Sequence, residues 1–193
     1  MTIAIVDLGC GNVGSVDHAL RRLGAVTKIT DDLAKIDAAE RVVLPGVGAA
    51  GHAMARIDAL GLRATLQRRD RPMLGICLGM QLLFERSEED DTDCLGLVEG
   101  QVRQLVPATG RPVPHMGWSR LEVRDVVAGL SSGDYAYFAH SYACDEVPQS
   151  VAMVYYGRPI TAAVRQGRLL GAQFHPERSG EAGKRFLEAF LSC

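Results

Sequence analysis

Residues 72–81 read PMLGICLGMQ, an apolar run that passes without a loop into a helix-forming segment. The pattern predicts a buried strand over 72–76 and a helix over about 78–86. Cys77 lies at the junction, and glycines two residues to either side permit the close backbone approach that such a tight turn needs. A cysteine at a strand-to-helix elbow indicates a nucleophile, because the head of a helix favours thiolate over thiol. The competing interpretation, an inert buried cysteine, leaves the two glycines unexplained.

In the rest of the chain, the pattern of predicted secondary structure changes near Gly96. Before it, short apolar strands alternate with helical segments, which predicts a parallel sheet with helices on its faces. After it, β-rich segments separated by turns predict antiparallel strands, and a last helix starts near Ser179, a candidate N-cap. We expect an α/β fold in one domain over residues 1–193: a three-layer open sheet with a parallel core flanked by helices and an antiparallel β-rich C-terminal half. The predicted strands are 2–8, 25–29, 41–44 and 72–76, then 97–105, 119–124, 135–144, 151–156, 160–164 and 169–174.

The segment His175-Pro176-Glu177 supplies a candidate base at the end of the last predicted strand. Residues i and i+2 of an extended segment point to the same side, so Glu177 can orient the imidazole of His175. Pro176 stiffens the step between them. Cys77, His175 and Glu177 then form a nucleophile, a base and an orienting carboxylate. By itself, the same tripeptide is also typical of a plain strand-end turn.

Acyl transfer also needs donors for a developing oxyanion, and Pro45-Gly46-Val47-Gly48 follows the third predicted strand. Its small residues, Gly46 and Val47 among them, can present backbone N–H groups beside the amide of Leu78. An ordinary strand-to-helix turn is the alternative. The carboxyl ends of the parallel strands share this edge of the sheet, where open α/β sheets bind ligands.

A second glycine motif points to a different class of protein. Gly9, Gly11 and Gly14 match G-x-G-x-x-G after a strand, with Asp31 and Asp32 near the distance expected for a ribose contact. A dinucleotide-binding protein is therefore the rival hypothesis, and a catalytically silent binding module is a third. Both leave the cysteine elbow and His-Pro-Glu without a role.

Composition excludes several classes. The 193 residues carry a net charge of −2, are 47% hydrophobic and contain no apolar run of membrane-spanning length. We expect a soluble, cytoplasmic protein that binds no nucleic acid and no membrane, and that needs no metal or cofactor. The five cysteines suggest neither a disulfide framework nor a zinc site. The acidic run at 88–93 predicts an exposed loop.

With these motifs in place, the sequence resembles the class I glutamine amidotransferases, whose signatures are G-x-C-x-G-x-Q and H-P-E. Six motifs in order resemble, more narrowly, the glutaminase subunits of imidazole glycerol phosphate synthases: DLGCGN at 7–12, LPGVG at 44–48, GICLGMQ at 75–81, HMGW at 115–118, HSY at 140–142 and HPERSG at 175–180. Ser119 departs from the usual asparagine after the tryptophan. Subunits serving pyridoxal phosphate or anthranilate synthesis are the nearest alternatives.

The resemblance implies an activity and a partner. Glutamine would be hydrolysed to glutamate and ammonia, and the ammonia passed within a heterodimer to a (β/α)8-barrel cyclase of histidine biosynthesis. That cyclase makes imidazole glycerol phosphate and aminoimidazole carboxamide ribotide. The resemblance also assigns roles to residues, which are Cys77, His175 and Glu177 as the triad; Gly46 and Val47 at the oxyanion hole; Gln81, Ser141 and Tyr142 at the glutamine; and Asn12, Met116 and Trp118 at the cyclase. Arg178, next to the triad carboxylate, is a further candidate interface residue.

Overall fold

The computed structural model describes residues 2–9, 13–46, 48–124 and 129–193. The strands are β1 Thr2–Val6, β2 Val26–Thr30, β3 Arg41–Leu44, β4 Met73–Ile76, β5 Arg86–Ser87, β6 Thr92–Asp93, β7 Gln101–Gln104, β8 His115–Arg120, β9 Glu122–Val123, β10 Tyr135–His140, β11 Tyr142–Cys144, β12 Ser150–Tyr155, β13 Pro159–Gln166 and β14 Leu169–Ala172. The helices are α1 Val13–Arg22, α2 Leu33–Ala38, α3 Ala50–Ala59, α4 Arg63–Gln67, α5 Leu78–Gln81 and α6 Gly180–Leu191, with 3-10 turns at Glu89–Asp91 and Pro176–Arg178.

Eight strands form the central sheet, in the order β2-β1-β3-β4-β14-β13-β12-β9. The first five pair in parallel, and β14, β13, β12 and β9 then pair antiparallel. The change of direction falls at β14, the strand that precedes His175. The predicted parallel core with an antiparallel C-terminal half is confirmed.

Side-chain alternation along the parallel strands produces the three layers. In β1, Ile3 and Ile5 pack into one hydrophobic core, and Ala4 and Val6 into the other. Helices α1 and α6 cover the first core, whereas α2, α3 and α4 cover the second. Strands that are buried on both faces need near-continuous apolar sequence, which explains the run in β1.

Two smaller sheets carry strands from the middle of the chain. One joins β8 to β10 antiparallel, and the other has the order β11-β7-β5-β6. Within the residues described above, no helix is long and apolar enough to cross a membrane.

One local prediction is wrong, and a second is confirmed in position but not in its side-chain hydrogen bond. The helix after Cys77 ends at Gln81, and the chain reaches a short strand at Arg86 instead of continuing as helix. Ser179 does precede α6, but its hydroxyl makes no capping bond to that helix. It accepts a hydrogen bond from the amide of Tyr137 at 2.9 Å and donates to the carbonyl of His175 at 2.7 Å.

Candidate active site

Cys77 occupies a strained elbow between β4 and α5. Its φ of 53° and ψ of −112° lie in a region that residues other than glycine seldom adopt. Its amide donates to the carbonyl of Ala172 in β14 at 2.7 Å. The helix's own hydrogen bonds begin with the amides of Met80 and Gln81, which donate to the carbonyl of Cys77. The cysteine is thus held by the sheet on one side and by the first helical turn on the other.

Glycines make the elbow possible because three pieces of backbone touch there. A Cβ built on Gly79 would lie 1.8 Å from the carbonyl oxygen of Leu44, and one on Gly75 would lie 2.5 Å from that of Gly79. A Cβ on Gly46 would lie 2.6 Å from the amide nitrogen of Gly79. Real Cβ atoms do not approach so closely, so any side chain at these positions would push the loop after β3 away from the elbow.

His175 and Glu177 form the pair that their spacing predicts. The imidazole Nδ1 lies 2.9 Å from Glu177 Oε1, and both side chains are largely buried. The amide of His175 donates to the carbonyl of Tyr137 in β10 at 2.9 Å. Together with the two bonds of Ser179, this contact fixes the turn that carries the pair to β10 and to the head of α6.

The environment of the imidazole favours its charged form. Burial lowers the pKa of His175, but hydrogen bonds to the side chains of Cys77 and Glu177, and the charges of both, outweigh burial and raise it to about 10. Burial raises the pKa of the Cys94 thiol to about 11 and that of the Cys144 thiol far above its usual range, so both resist ionisation.

The structure describes two of the three residues that were predicted to form the oxyanion hole, Gly46 and Leu78, and these two lie next to each other. The Cβ position of Gly46 lies 2.6 Å from Leu78 Cβ. The Leu78 amide precedes the first intrahelical donor of α5, as the leading amides of any helix do. Val47 lies outside the described residues, so the orientation of the Gly46–Val47 peptide stays a prediction.

A cavity of about 280 Å³ opens at the elbow. It is lined by five of the predicted site residues, Cys77, Leu78, Gln81, Ser141 and Tyr142, and by Met116 and Glu89. Glu89 is a lining residue that the sequence did not reveal, because the acidic run around it predicted only an exposed loop. Its neighbours Glu88, Asp90 and Asp91 are exposed.

The 3-10 turn at Glu89–Asp91 directs Glu89 inward. One carboxylate oxygen accepts from the amide of Ala50 at the start of α3, at 2.8 Å. Burial, the largest effect, raises the pKa of Glu89, and the bond from Ala50 works against it. No spacing rule in the sequence signals this contact, since it depends on the loop's placement against α3.

The predicted interface residues form one exposed face beside the cavity. Met116 and Trp118 alternate along β8 with buried His115 and with half-buried Gly117 and Ser119, and they are 64% and 55% exposed. Trp118 meets the ring of Tyr137 edge-on at 6.0 Å, and the Arg178 guanidinium lies 4.3 Å from the centroid of the same ring. Asn12, the remaining predicted interface residue, lies outside the described residues.

The two aspartates behind the dinucleotide hypothesis make their contacts within the described part of the fold. Asp32 caps α2 by accepting from the amides of Ala34 and Lys35, and Asp31 pairs with Arg56 at 3.2 Å. Both carboxylates are thus engaged within the fold. Gly11, the central glycine of the motif, lies outside the described residues.

A doubly covered sheet with a strained cysteine elbow and a His–Glu pair at one edge defines a class of enzyme. The chain belongs to the class-I glutamine amidotransferase family, whose family model matches residues 4–192. It is an enzyme of that family, so the predicted fold and the predicted class of activity are confirmed, whereas the catalytic role of Cys77 stays a prediction.

Several curated relatives of high identity belong to one particular kind of glutamine amidotransferase subunit. The chain is 51% identical over 192 residues to the imidazole glycerol phosphate synthase subunit HisH of Xanthomonas campestris pv. campestris (strain 8004), covering 98% of this chain and 96% of that protein. It is 50% identical, with the same coverage, to the HisH subunit of Xylella fastidiosa (strain Temecula1 / ATCC 700964).

Solved structures share the fold at lower identity. A crystal structure of a glutamine amidotransferase superposes with a TM-score of 0.78 at 23% identity, covering 98% of this chain and 97% of that one. The structure of PurLQS from Thermotoga maritima gives 0.73 at 21% identity, covering 99% and 97%.

Proposed function

We propose that this chain is the glutaminase subunit of an imidazole glycerol phosphate synthase, acting as a single domain. The observation that carries the proposal is the elbow cysteine beside a His175–Glu177 pair, in a chain matched over nearly its whole length by HisH subunits. Glutamine is the substrate. The partner is a cyclase subunit with a (β/α)8 barrel, which takes up the ammonia to make imidazole glycerol phosphate and aminoimidazole carboxamide ribotide.

The chemistry follows from the three side chains. The Cys77 thiolate attacks the side-chain carbonyl carbon of glutamine, and the oxygen takes up negative charge. The amide of Leu78 and the Gly46–Val47 peptide stabilise that charge. The imidazolium of His175, held by Glu177, gives its proton to the departing nitrogen as the C–N bond breaks, releasing ammonia and leaving a thioester. His175 then takes a proton from the water that hydrolyses the thioester to glutamate.

Recognition of glutamine falls to the residues around the cavity. Gln81, Ser141 and Tyr142 contact the substrate, and the Glu89 carboxylate suits its ammonium group because opposite charges attract most strongly away from bulk water. Met116 lies both in the cavity wall and on the exposed face of β8. A partner seated on that face, against Met116, Trp118, Arg178 and Asn12, would therefore adjoin the point where ammonia forms.

A glutamine-mimicking electrophile tests the proposal directly. Mass spectrometry after limited exposure should find Cys77 modified, with Cys10, Cys94, Cys144 and Cys193 spared. In the complex with the cyclase, Cys77→Ala should abolish glutamate release from glutamine, Glu177→Gln should leave a measurable remainder, and Cys193→Ala, at an exposed thiol, should match the parent chain. Equal labelling of the five thiols, or full activity in Cys77→Ala, would refute the proposal.

A further inference from the structure

Gln173 is a fully buried polar residue beside the nucleophile. It follows β14 directly and precedes His175 by two residues. Its amide N–H donates to the carbonyl of Ala162 at 2.9 Å, which continues the ladder of the antiparallel strands. Its side-chain Nε2 lies 3.8 Å from Cys77 Sγ, and its Oε1 lies 3.0 Å from Gln81 Nε2.

The contacts of Gln81 determine which end of the Gln173 amide faces the sulfur. Gln81 Nε2 lies 2.8 Å from the carbonyl oxygen of Tyr142. A main-chain carbonyl only accepts, so Gln81 must present its NH2 group there. The second hydrogen of that NH2 group points to Gln173 and requires an acceptor, which is Oε1. The NH2 group of Gln173 therefore faces Cys77 Sγ.

The Tyr142 carbonyl is itself fixed by a chain of buried histidines. His140 Nδ1 lies 2.7 Å from this carbonyl and must donate to it, which leaves His140 Nε2 as an acceptor for His115 Nδ1 at 3.1 Å. His115 Nε2 then accepts from the Ser119 hydroxyl at 2.8 Å. The Tyr142 carbonyl therefore accepts from both His140 and Gln81, and the hydrogen-bonded path from Ser119 on β8 to the Cys77 sulfur passes through this shared acceptor.

Both histidines must be neutral for these tautomers to hold. Burial lowers the pKa of His140 to about 3 and that of His115 to about 4. His115 also stacks between the rings of Phe138 and Tyr156, with centroids 4.8 and 4.0 Å away. The far end of the path is therefore rigid and uncharged at neutral pH.

We propose that Gln173 is a further residue of the catalytic site, whose amide N–H donates to the Cys77 sulfur and favours the thiolate. This inference rests on the proposed role of Cys77 as the nucleophile. Gln81 sets the orientation of Gln173, and the Tyr142 carbonyl, which also accepts from His140, sets that of Gln81. The imidazole of His175 and the amide of Gln173 thus supply two independent donors to one sulfur.

Replacements at 173 of similar size separate this role from simple core packing. Gln173→Met keeps the length of the side chain and removes the donor. Gln173→Glu keeps an acceptor for Gln81 and places a carboxylate oxygen against the sulfur. If the amide stabilises the thiolate, its loss disfavours ionisation, and the carboxylate disfavours it further by like-charge repulsion. If Gln173 only filled space, its replacement would lower the stability of the fold but would not change the ionisation of Cys77 in this order.

The experiment measures the pH dependence of iodoacetamide alkylation at Cys77 in the full chain, followed by mass spectrometry. The alkylation midpoint should rise by about one pH unit in Gln173→Met, equivalent to about 1.4 kcal/mol, and further in Gln173→Glu. Ser150→Ala is the matched control, because it removes a buried hydrogen bond, from Ser150 Oγ to Thr161 Oγ1, outside the site. Its midpoint should equal that of the parent chain.

The possible outcomes separate the two proposals. Folded Met and Glu variants with the parental midpoint would overturn the role of Gln173 and leave the proposed function intact. If Cys77 of the parent chain reacted with iodoacetamide no faster than Cys94, Cys144 and Cys193, that result would overturn the proposed function itself. If the Met and Glu variants do not fold, Gln173→Asn replaces them in the experiment, because its side chain is one methylene shorter and places the amide farther from the sulfur. Failure of all three to fold would make Gln173 a structural residue and refute the inference.

Discussion

At the scale of single residues, the backbone of Cys77 combines strain with exposure of the sulfur to the cavity. A non-glycine residue with φ of 53° and ψ of −112° costs about 1–3 kcal/mol. The bonds that impose this conformation come from both sides, through Ala172 in the sheet and through the first turn of α5. The conformation required of the nucleophile therefore lowers the stability of the fold at this position.

Because of this strain, we expect glycine to be more stabilising than alanine at position 77, which is the reverse of their usual order. Cys77→Gly should be more stable than Cys77→Ala by about 1 kcal/mol, because glycine alone adopts this conformation without a steric cost. At an ordinary position the order is reversed by about 0.5–1 kcal/mol, and Ala64→Gly on exposed α4 supplies that control. Urea unfolding of the variants measures both differences. An alanine variant as stable as the glycine variant would show that the elbow is unstrained.

His175 predicts a pH dependence of stability in the alkaline range. Its pKa is raised from 6.5 to about 10 in the folded chain, so the folded state binds a proton that the unfolded state has released between these values. The stabilising contribution is complete below about pH 6.5 and is lost as pH rises through about 10. His175→Asn should lack this contribution, so the difference in unfolding free energy between parent and variant should shrink from pH 6.5 to 10. A constant difference would contradict the raised pKa.

At the scale of elements, the crossing of the 44–46 segment over α5 holds the elbow and the predicted oxyanion donors together. The crossing is backbone against backbone, since the nearest atoms to a Cβ on Gly79 are the carbonyl atoms of Leu44. A flexible side chain could move aside, but a strand end packed on both faces cannot do so cheaply.

Gly79→Ala should therefore be severely destabilising, by about 3 kcal/mol or more in urea unfolding, as expected when added atoms force backbone shifts. Gly110→Ala is the matched control, because its added Cβ meets no atom within 4 Å and only its φ of +75° is strained. That control should cost about 1 kcal/mol. Equal effects of the two substitutions would mean that the loop after β3 yields easily.

The elements also show what the sequence could and could not predict. Alternating strands and helices before Gly96 predicted the parallel core, because the apolar runs there are buried on both faces. The prediction of a helix beyond Gln81 was wrong because the residues between Gln81 and Arg86 are mostly apolar. Such residues suit a buried irregular segment as well as a helix. Glu89 and Gln173 were not found because their roles depend on contacts between distant segments. Spacing rules detect residues close together in the sequence, such as His175 and Glu177, and not contacts between distant segments.

At the scale of the whole molecule, the cavity adjoins the exposed face of the small β8–β10 sheet, because Met116 belongs to both. His115 and Phe138 point inward, whereas Met116, Trp118 and Tyr135 are exposed. Large apolar side chains gathered on one exposed face are typical of an interaction surface. The face lies next to the cavity, so a partner bound there could influence glutamine hydrolysis through Arg178 or through the Gly46–Val47 peptide.

Trp118 provides the sharpest test of that surface. It is 55% exposed and supported edge-on by Tyr137, which in turn is held by Arg178. Buried tryptophans at interface centres commonly contribute about 2 kcal/mol or more, so Trp118→Ala should weaken binding of the cyclase subunit about 30-fold or more. Calorimetric titration measures the affinity, and Tyr155→Ala, 71% exposed on β12, is the control that should leave it unchanged.

The activity of the same complexes tests whether the surface also serves catalysis. Binding of the cyclase with its ligand should increase glutamine turnover by orders of magnitude, since a peptide turned to stabilise the oxyanion contributes about 3–4 kcal/mol. Trp118→Ala should need more cyclase to reach the same turnover. Cys77→Ala, by contrast, should bind normally and support product formation from ammonium salts but not from glutamine. If Cys77→Ala failed with ammonium as well, the two subunits would not divide the reaction between separate sites.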